Sequence, residues 1–212
     1  MIMIDNSKTI TKDVQASITP QLAIDILKSG NQRFTENKMV SRNLKGQVSD
    51  TSTGQAPFAV VLGCIDSRVP AEMVFDQGIG DIFNCRIAGN FVNTDILGSM
   101  EFGCKVAGSK VIVVLGHKSC GAVKGACDSV ELGNLTSMLA NIQPAIDAVT
   151  EITEERNSGN AAFVQAVSDN NVAMAVENIR KHSPVLKEME DNGEIAIVGA
   201  MYDIADGSVA WY

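Results

Sequence analysis

Two unbroken apolar runs, each ending on a cysteine or a histidine, constrain this chain more than any other feature. Phe58-Ala-Val-Val-Leu-Gly-Cys64 and Lys110-Val-Ile-Val-Val-Leu-Gly-His117 are short and β-branched, and neither shows the alternation of a half-exposed strand. Such runs suit strands buried on both faces, as in a parallel sheet with helices above and below. Asp81 to Arg86 reads as a second, weaker strand between them, and Glu194 to Ala200 as a last buried one. Asp206-Gly207 can turn a hairpin into Val209 to Tyr212.

The intervening segments carry helical signals. Thr19-Pro20 is a cap followed by a first-turn proline, and Leu22, Ile26, Leu27 and Phe34 give the helix it opens one apolar side. Helical stretches are expected over Asn93 to Val106, Cys120 to Cys127 and Thr136 to Val149, with Pro144 bending or splitting the last. Ala161 to His182 is helical, and Ser183-Pro184 caps a further helix that stops by Gly193. Met39 to Gln55 and Glu151 to Asn160 read as polar loops. Strands alternating with helices give an α/β fold, a single domain with a mainly parallel central sheet flanked by helices. Residues 1–18 read as a polar N-terminal arm, disordered or borrowed by a partner, and 19–212 as the domain.

Bulk properties narrow the function classes. A formal charge of -8 argues against nucleic acid as a partner. No run approaches the roughly 18 apolar residues of a membrane span, and Met1 to Ile4 are too short for a secretory signal, so the cytoplasm is the expected compartment. Five cysteines, an odd number in a long chain, fit free thiols or metal ligands better than a disulfide framework.

Sites in parallel sheets gather at the carboxyl ends of strands, beside the crossover. Here those ends read Cys64-Ile-Asp66-Ser-Arg68-Val-Pro70 and His117-Lys-Ser-Cys120-Gly121. Thiolate and imidazole suit zinc, and a catalytic zinc keeps one position for water. The start of the helix after Cys120 should favour its thiolate. Spacing alone leaves zinc ligation and inert buried cysteines both open. Cys85, Cys104 and Cys127 take the inert reading, and His182 that of a surface residue. Gly116 and Gly121 have the outer spacing of a phosphate loop, but Ala122 stands where its lysine should be; Gly78-x-Gly80 precedes a strand and lacks a third glycine.

Taken together, Cys64-x-Asp66-x-Arg68 and His117-x-x-Cys120, with Phe75 to Asn90 and Gly121-Ala-Val, resemble the β-class carbonic anhydrases from about Gln55 to Cys127. The resemblance implies a zinc lyase interconverting carbon dioxide and bicarbonate, with Zn2+ on Cys64, His117 and Cys120 and a catalytic dyad of Asp66 and Arg68. It implies that Gln55, Phe83 and Gly121 face the substrate, and that the chain self-associates as a dimer or tetramer with the pocket near the interface. Phe102 stands where plant-like members carry tyrosine, and Ile65 where serine is common. Asp66 is close enough to Cys64 to become a fourth metal ligand in a closed form if its bond to Arg68 breaks.

Three rivals remain at this level. One is a hydrolase of carbon disulfide or carbonyl sulfide on the same scaffold. Another is a zinc-stabilised binding protein without turnover, although a purely structural zinc usually has four protein ligands. The third is a thiol redox enzyme, for which the chain has no C-x-x-C pair.

Overall fold

The structure, a computed structural model, describes residues 5–212. Met1 to Ile4 lie outside the described residues. Five strands form one sheet: β1 (Ala59–Gly63), β2 (Ile82–Arg86), β3 (Val111–His117), β4 (Ala196–Tyr202) and β5 (Val209–Trp211), in the order β2-β1-β3-β4-β5. The first four run parallel and β5 pairs antiparallel with β4. Both apolar runs are fully buried strands at the centre of this sheet, as their composition requires.

The period of two decides which side chains meet which helices. Ala59 and Val61, with Val111, Val113 and Leu115, face Ile24 and Leu27 of α2 (Pro20–Thr35) and Val74 of α4 (Ala71–Val74). Val60 and Leu62, with Ile112 and Val114, face Leu97 and Met100 of α5 (Thr94–Glu101), Leu186 of α10 (Pro184–Asp191), and Val172 and Ile179 of α9 (Ala161–His182). The amino-terminal half of α9 continues past the sheet. There Phe163, Val164 and Val167 join α6 (Gly121–Cys127), α7 (Gly133–Leu139) and α8 (Gln143–Asp147) in a third cluster that encloses Cys64 and Cys120.

Helix ends obey the expected chemistry. Thr19 Oγ1 accepts from the Leu22 amide at 3.2 Å ahead of Pro20, and Ser183 Oγ accepts from the Leu186 amide at 3.2 Å ahead of Pro184. The stretch expected over Thr136 to Val149 is split into α7 and α8, and Pro144 stands in the first turn of α8. The stretch expected over Asn93 to Val106 is helical, but its last turn, Phe102–Val106, is π-helical. Asp206 and Gly207 lie in the loop that turns β4 into β5.

Two segments depart from the sequence reading. Leu44–Asp50, placed in a polar loop, forms α3, capped by Asn43 accepting from the Gly46 amide at 3.0 Å. Residues 10–18 do not form a free arm. Lys12–Ser17 form α1, Ile10 and Ile18 are buried in the core, and the buried Gln15 amide donates to the carbonyls of Pro57 and Ala107 at 2.6 and 2.9 Å. A few well-placed apolar and amide groups in a polar segment hold it to the domain where hydrophobic periodicity gives no sign.

One buried ion cluster ties α2 to the turn after α4. The Asp76 carboxylate is fully buried, accepts from Arg33 Nε at 2.6 Å, and also accepts from Arg42 and from the Val40 amide. Replacing Asp76 with alanine leaves two cations without their anion and is expected to cost about 3–5 kcal/mol of stability. Urea unfolding of the variant checks this, and a loss below about 1 kcal/mol would contradict it.

Candidate metal centre

β1 and β3 are neighbours, with Gly63 opposite Leu115, so the residues beyond each strand emerge side by side. Cys64, His117 and Cys120 converge there, with their ligand atoms all within 4.8 Å of one another. They are 3%, 1% and 1% exposed. The two sulfurs are 3.9 Å apart. A tetrahedral zinc with Zn–S bonds of about 2.3 Å sets thiolates about 3.8 Å apart, so the spacing fits that ion.

The histidine is oriented for the same purpose. His117 Nδ1 lies 3.0 Å from the Lys118 carbonyl oxygen, which fixes the proton on Nδ1 and leaves Nε2 as the lone-pair nitrogen. Nε2 is buried and has no hydrogen-bond partner among the described residues. A buried acceptor of this kind is costly unless something binds it. Two thiols and an orphaned imidazole nitrogen form a donor set that a soft divalent cation satisfies.

The thiols titrate as a pair. Cys64 is lowered to about 4, chiefly because the Cys120 thiol donates to its sulfur, with burial opposing and the Gly89 amide assisting. Cys120 is pushed up by its hydrogen bond to Cys64, by burial and by the Cys64 charge, against which the Ala122 and Val123 amides pull down. The helix start at Gly121 therefore acts as expected but is outweighed. Keeping both sulfurs ionised takes a cation between them.

Asp66 and Arg68 stand at the mouth of this cluster. Arg68 Nε and Nη2 donate to the two oxygens of Asp66 at 2.9 and 2.7 Å, and the Arg68 amide donates to Asp66 Oδ1 at 3.0 Å. The Arg68 guanidinium holds the Asp66 carboxyl far below the usual carboxylate range, despite partial burial. Asp66 Oδ2 remains 3.9 Å from His117 Nε2, facing the cluster while paired with Arg68. Ile65, between the ligand and the dyad, is 61% exposed and points away.

Of the expected substrate-facing residues, only Gly121 lies here. It comes directly after Cys120, and a methyl group added to it would meet nothing within 4 Å, so the space beside the ligand is open. Gln55 sits before the amino end of β1, in a hollow of about 520 Å³ shared with Thr9, Asn43 and Gln47. The strand alone separates it from Cys64 by roughly 16 Å. Phe83 lies on β2 level with Val60 and stacks edge-on with Phe102 at 6.1 Å, also away from its own chain's cluster.

Three residues that sequence reasoning missed act on the loop that carries Cys64 and Asp66. Arg86 donates to the carbonyls of Cys64 and Asp66. The Gly89 amide donates to Cys64 Sγ at 3.4 Å, from a backbone with φ +84° that glycine readily adopts. Asn171 of α9 holds the Gly89 carbonyl at 2.7 Å. Arg86 and Gly89 lie within the Phe75 to Asn90 stretch of the resemblance, but their bonds to the loop are not legible there, and nothing local marks Asn171, because each reaches the loop from another element.

The comparisons with known proteins agree with this geometry. A family model described as carbonic anhydrase matches residues 59–209. A carbonic anhydrase of Mycolicibacterium smegmatis is 37% identical over 90% of this chain and 92% of its own length. Carbonic anhydrase 2 of Mycobacterium tuberculosis is 34% identical over 89% and 90%. Among solved structures, the β-carbonic anhydrase CcaA shares the fold with a TM-score of 0.71 at 23% identity, over 89% of this chain and 87% of that one. One of two tetrameric β-carbonic anhydrases of Sordaria macrospora superposes with a TM-score of 0.67 at 25% identity, over 79% and 89%. With its motifs converging on one cluster in that shared fold, the chain belongs to the β-carbonic anhydrase family.

Proposed function

We infer that this chain is a carbonate dehydratase, catalysing the reversible hydration of carbon dioxide to bicarbonate and a proton, with zinc held by Cys64, His117 and Cys120. The observation that carries the reading is the buried, unpartnered His117 Nε2 beside two thiols at tetrahedral spacing, with an ionised carboxylate facing them. Zinc in that position supplies a Lewis acid that ionises water near neutral pH. Asp66 accepts a hydrogen bond from the attacking water and so aims its lone pair at the carbon. Arg68 keeps Asp66 charged and fixed by gripping both its oxygens. Gly121 leaves room for a small linear substrate beside Cys120.

Family membership and relatives named carbonic anhydrase favour carbon dioxide over carbon disulfide or carbonyl sulfide. An intact Asp66–Arg68 pair at a three-ligand cluster disfavours a purely structural metal. Gln55 and Phe83 reach a substrate only if another copy brings them to the site. The outer edge of β2 has no partner strand among the described residues, and exposed Met73, Ile79 and Phe102 lie near it, as an interface between copies requires. Self-association as a dimer or tetramer accords with this reading. No helix among the described residues is long and apolar enough to cross a membrane. The free cysteines fit a reducing compartment such as the cytoplasm.

Stopped-flow hydration of carbon dioxide, with metal analysis of the same sample, tests the function. Activity should rise with pH through roughly 7 to 9, the range of metal-acidified water. Protonation of Asp66 does not set the acid limb, since Arg68 depresses its pKa. Two thiolates also leave the metal less acidifying than three imidazoles would. In a closed form favoured at low pH, Asp66 would leave Arg68 and add its carboxylate to the donor set of Cys64, His117 and Cys120. A profile flat from acid to alkaline pH, with Asp66 on Arg68 in structures at both ends, would rule this switch out.

A further inference from the structure

We propose that Arg86 is a positioning residue for hydration, acting through the loop that carries both Cys64 and Asp66. Arg86 is the last residue of β2, and its backbone lies opposite Gly63, the last residue of β1. From there the side chain reaches past the strand ends. Nε donates to the Cys64 carbonyl at 2.8 Å and Nη2 to the Asp66 carbonyl at 2.6 Å. The guanidinium thus clamps the Cys64–Ile65 and Asp66–Ser67 peptides, with the Ile65–Asp66 peptide held between them. A planar fork matches two carbonyls set this way, which one ammonium cannot do with the same geometry.

The loop needs such a restraint. It leaves the sheet at Cys64, carries a metal ligand and the dyad acid two residues apart, and re-enters regular structure at Ala71. The Val69 amide closes one turn onto the Asp66 carbonyl at 3.0 Å, but this bond lies wholly within the loop. Arg86 is what connects that carbonyl to the sheet. Its guanidinium bonds these carbonyls and forms no ion pair with a carboxylate among the described residues, so its charge is not committed to a surface pair. Rotating the Asp66 peptide would break the two-point pairing with Arg68 and move an oxygen that lies 3.9 Å from His117 Nε2. Arg86 opposes that rotation. The inference rests on the roles assigned above to Cys64 and Asp66.

The test uses the full-length zinc enzyme and its cobalt-substituted form, comparing wild type with Arg86→Ala and Arg86→Lys. Arg86→Ala should keep its metal and its oligomeric state and lose about 10- to 100-fold in kcat, the usual effect of removing a group that orients a metal ligand. KM should change far less. The visible bands of its cobalt form should shift, because the ligand geometry relaxes. Arg86→Lys should recover part of kcat and part of the spectrum. A folded Arg86→Ala with wild-type kcat and wild-type cobalt bands overturns the proposal, even if its Tm has fallen. Should Arg86→Ala fail to fold, Arg86→Lys decides alone: full activity with unchanged bands overturns the fork geometry, and a partial loss with shifted bands supports it. Asp66→Asn serves as the control. If that variant is fully active, the dyad reading fails by itself; if it is inactive while Arg86→Ala is normal, only the Arg86 inference fails.

Discussion

A Cys64→Ser variant is expected to lose its zinc and its hydration activity together. The Cys64 sulfur is buried against Cys120 and accepts the Gly89 amide, and all of these contacts favour a thiolate. A serine hydroxyl keeps its proton in the same place and is a harder, shorter donor. Sites of this kind bind zinc with free energies on the order of 10–16 kcal/mol. Losing one ligand of three should remove roughly 3–5 kcal/mol, about 10² to 10⁴ in affinity. Metal content after dialysis against a weak chelator should therefore fall to a small fraction of wild type, and stopped-flow activity should fall in parallel. A variant that retains a full complement of zinc would show that Cys64 is not a ligand.

Arg68→Ala should separate turnover from metal content. Arg68 touches Asp66 through three hydrogen bonds and contacts none of the three ligand atoms, so zinc should stay. Turnover should drop by about 10- to 100-fold, because Asp66 loses the two-point grip that fixes its orientation. The stability cost should be small, since Arg68 is 52% exposed and water replaces much of what it provides. Hydration rate, zinc content and Tm measured on one preparation distinguish these effects. Near-normal hydration by the folded, zinc-loaded variant would remove Arg68 from the mechanism.

The features legible in the sequence are those written into contiguous residues. Two apolar runs specify the central strands, Thr19-Pro20 and Ser183-Pro184 mark helix starts, and the two strand-end motifs contain the three donors and the Asp66–Arg68 pair that the fold brings together. The features that stayed hidden depend on contacts between distant segments. Arg86, although inside the Phe75 to Asn90 stretch, and Asn171 act through backbone carbonyls, which any residue possesses, so the sequence does not show what they bond. Gln15 and Ile10 anchor a segment whose composition is polar. Gln55 and Phe83 were legible as residue types, but their place in the fold was not. The amino end of β1 and the edge strand β2 set both apart from the cluster in their own chain.

The parallel pairing of β1 with β3 also bears on when the donor cluster comes together as the chain folds. Cys64 and His117 become neighbours only when Gly63 lies opposite Leu115, across a crossover that includes β2 and α5. A slip of one residue would send every β1 side chain to the opposite face of the sheet. The Cys64 sulfur would then no longer meet Cys120. Pairings between such distant segments form late, because the connecting loop must first be closed. Helices and collapsed intermediates can exist before this, but they do not hold the three donors together. Convergence of the three donors is therefore a gauge of strand register, reached only by chains whose central sheet has been threaded correctly.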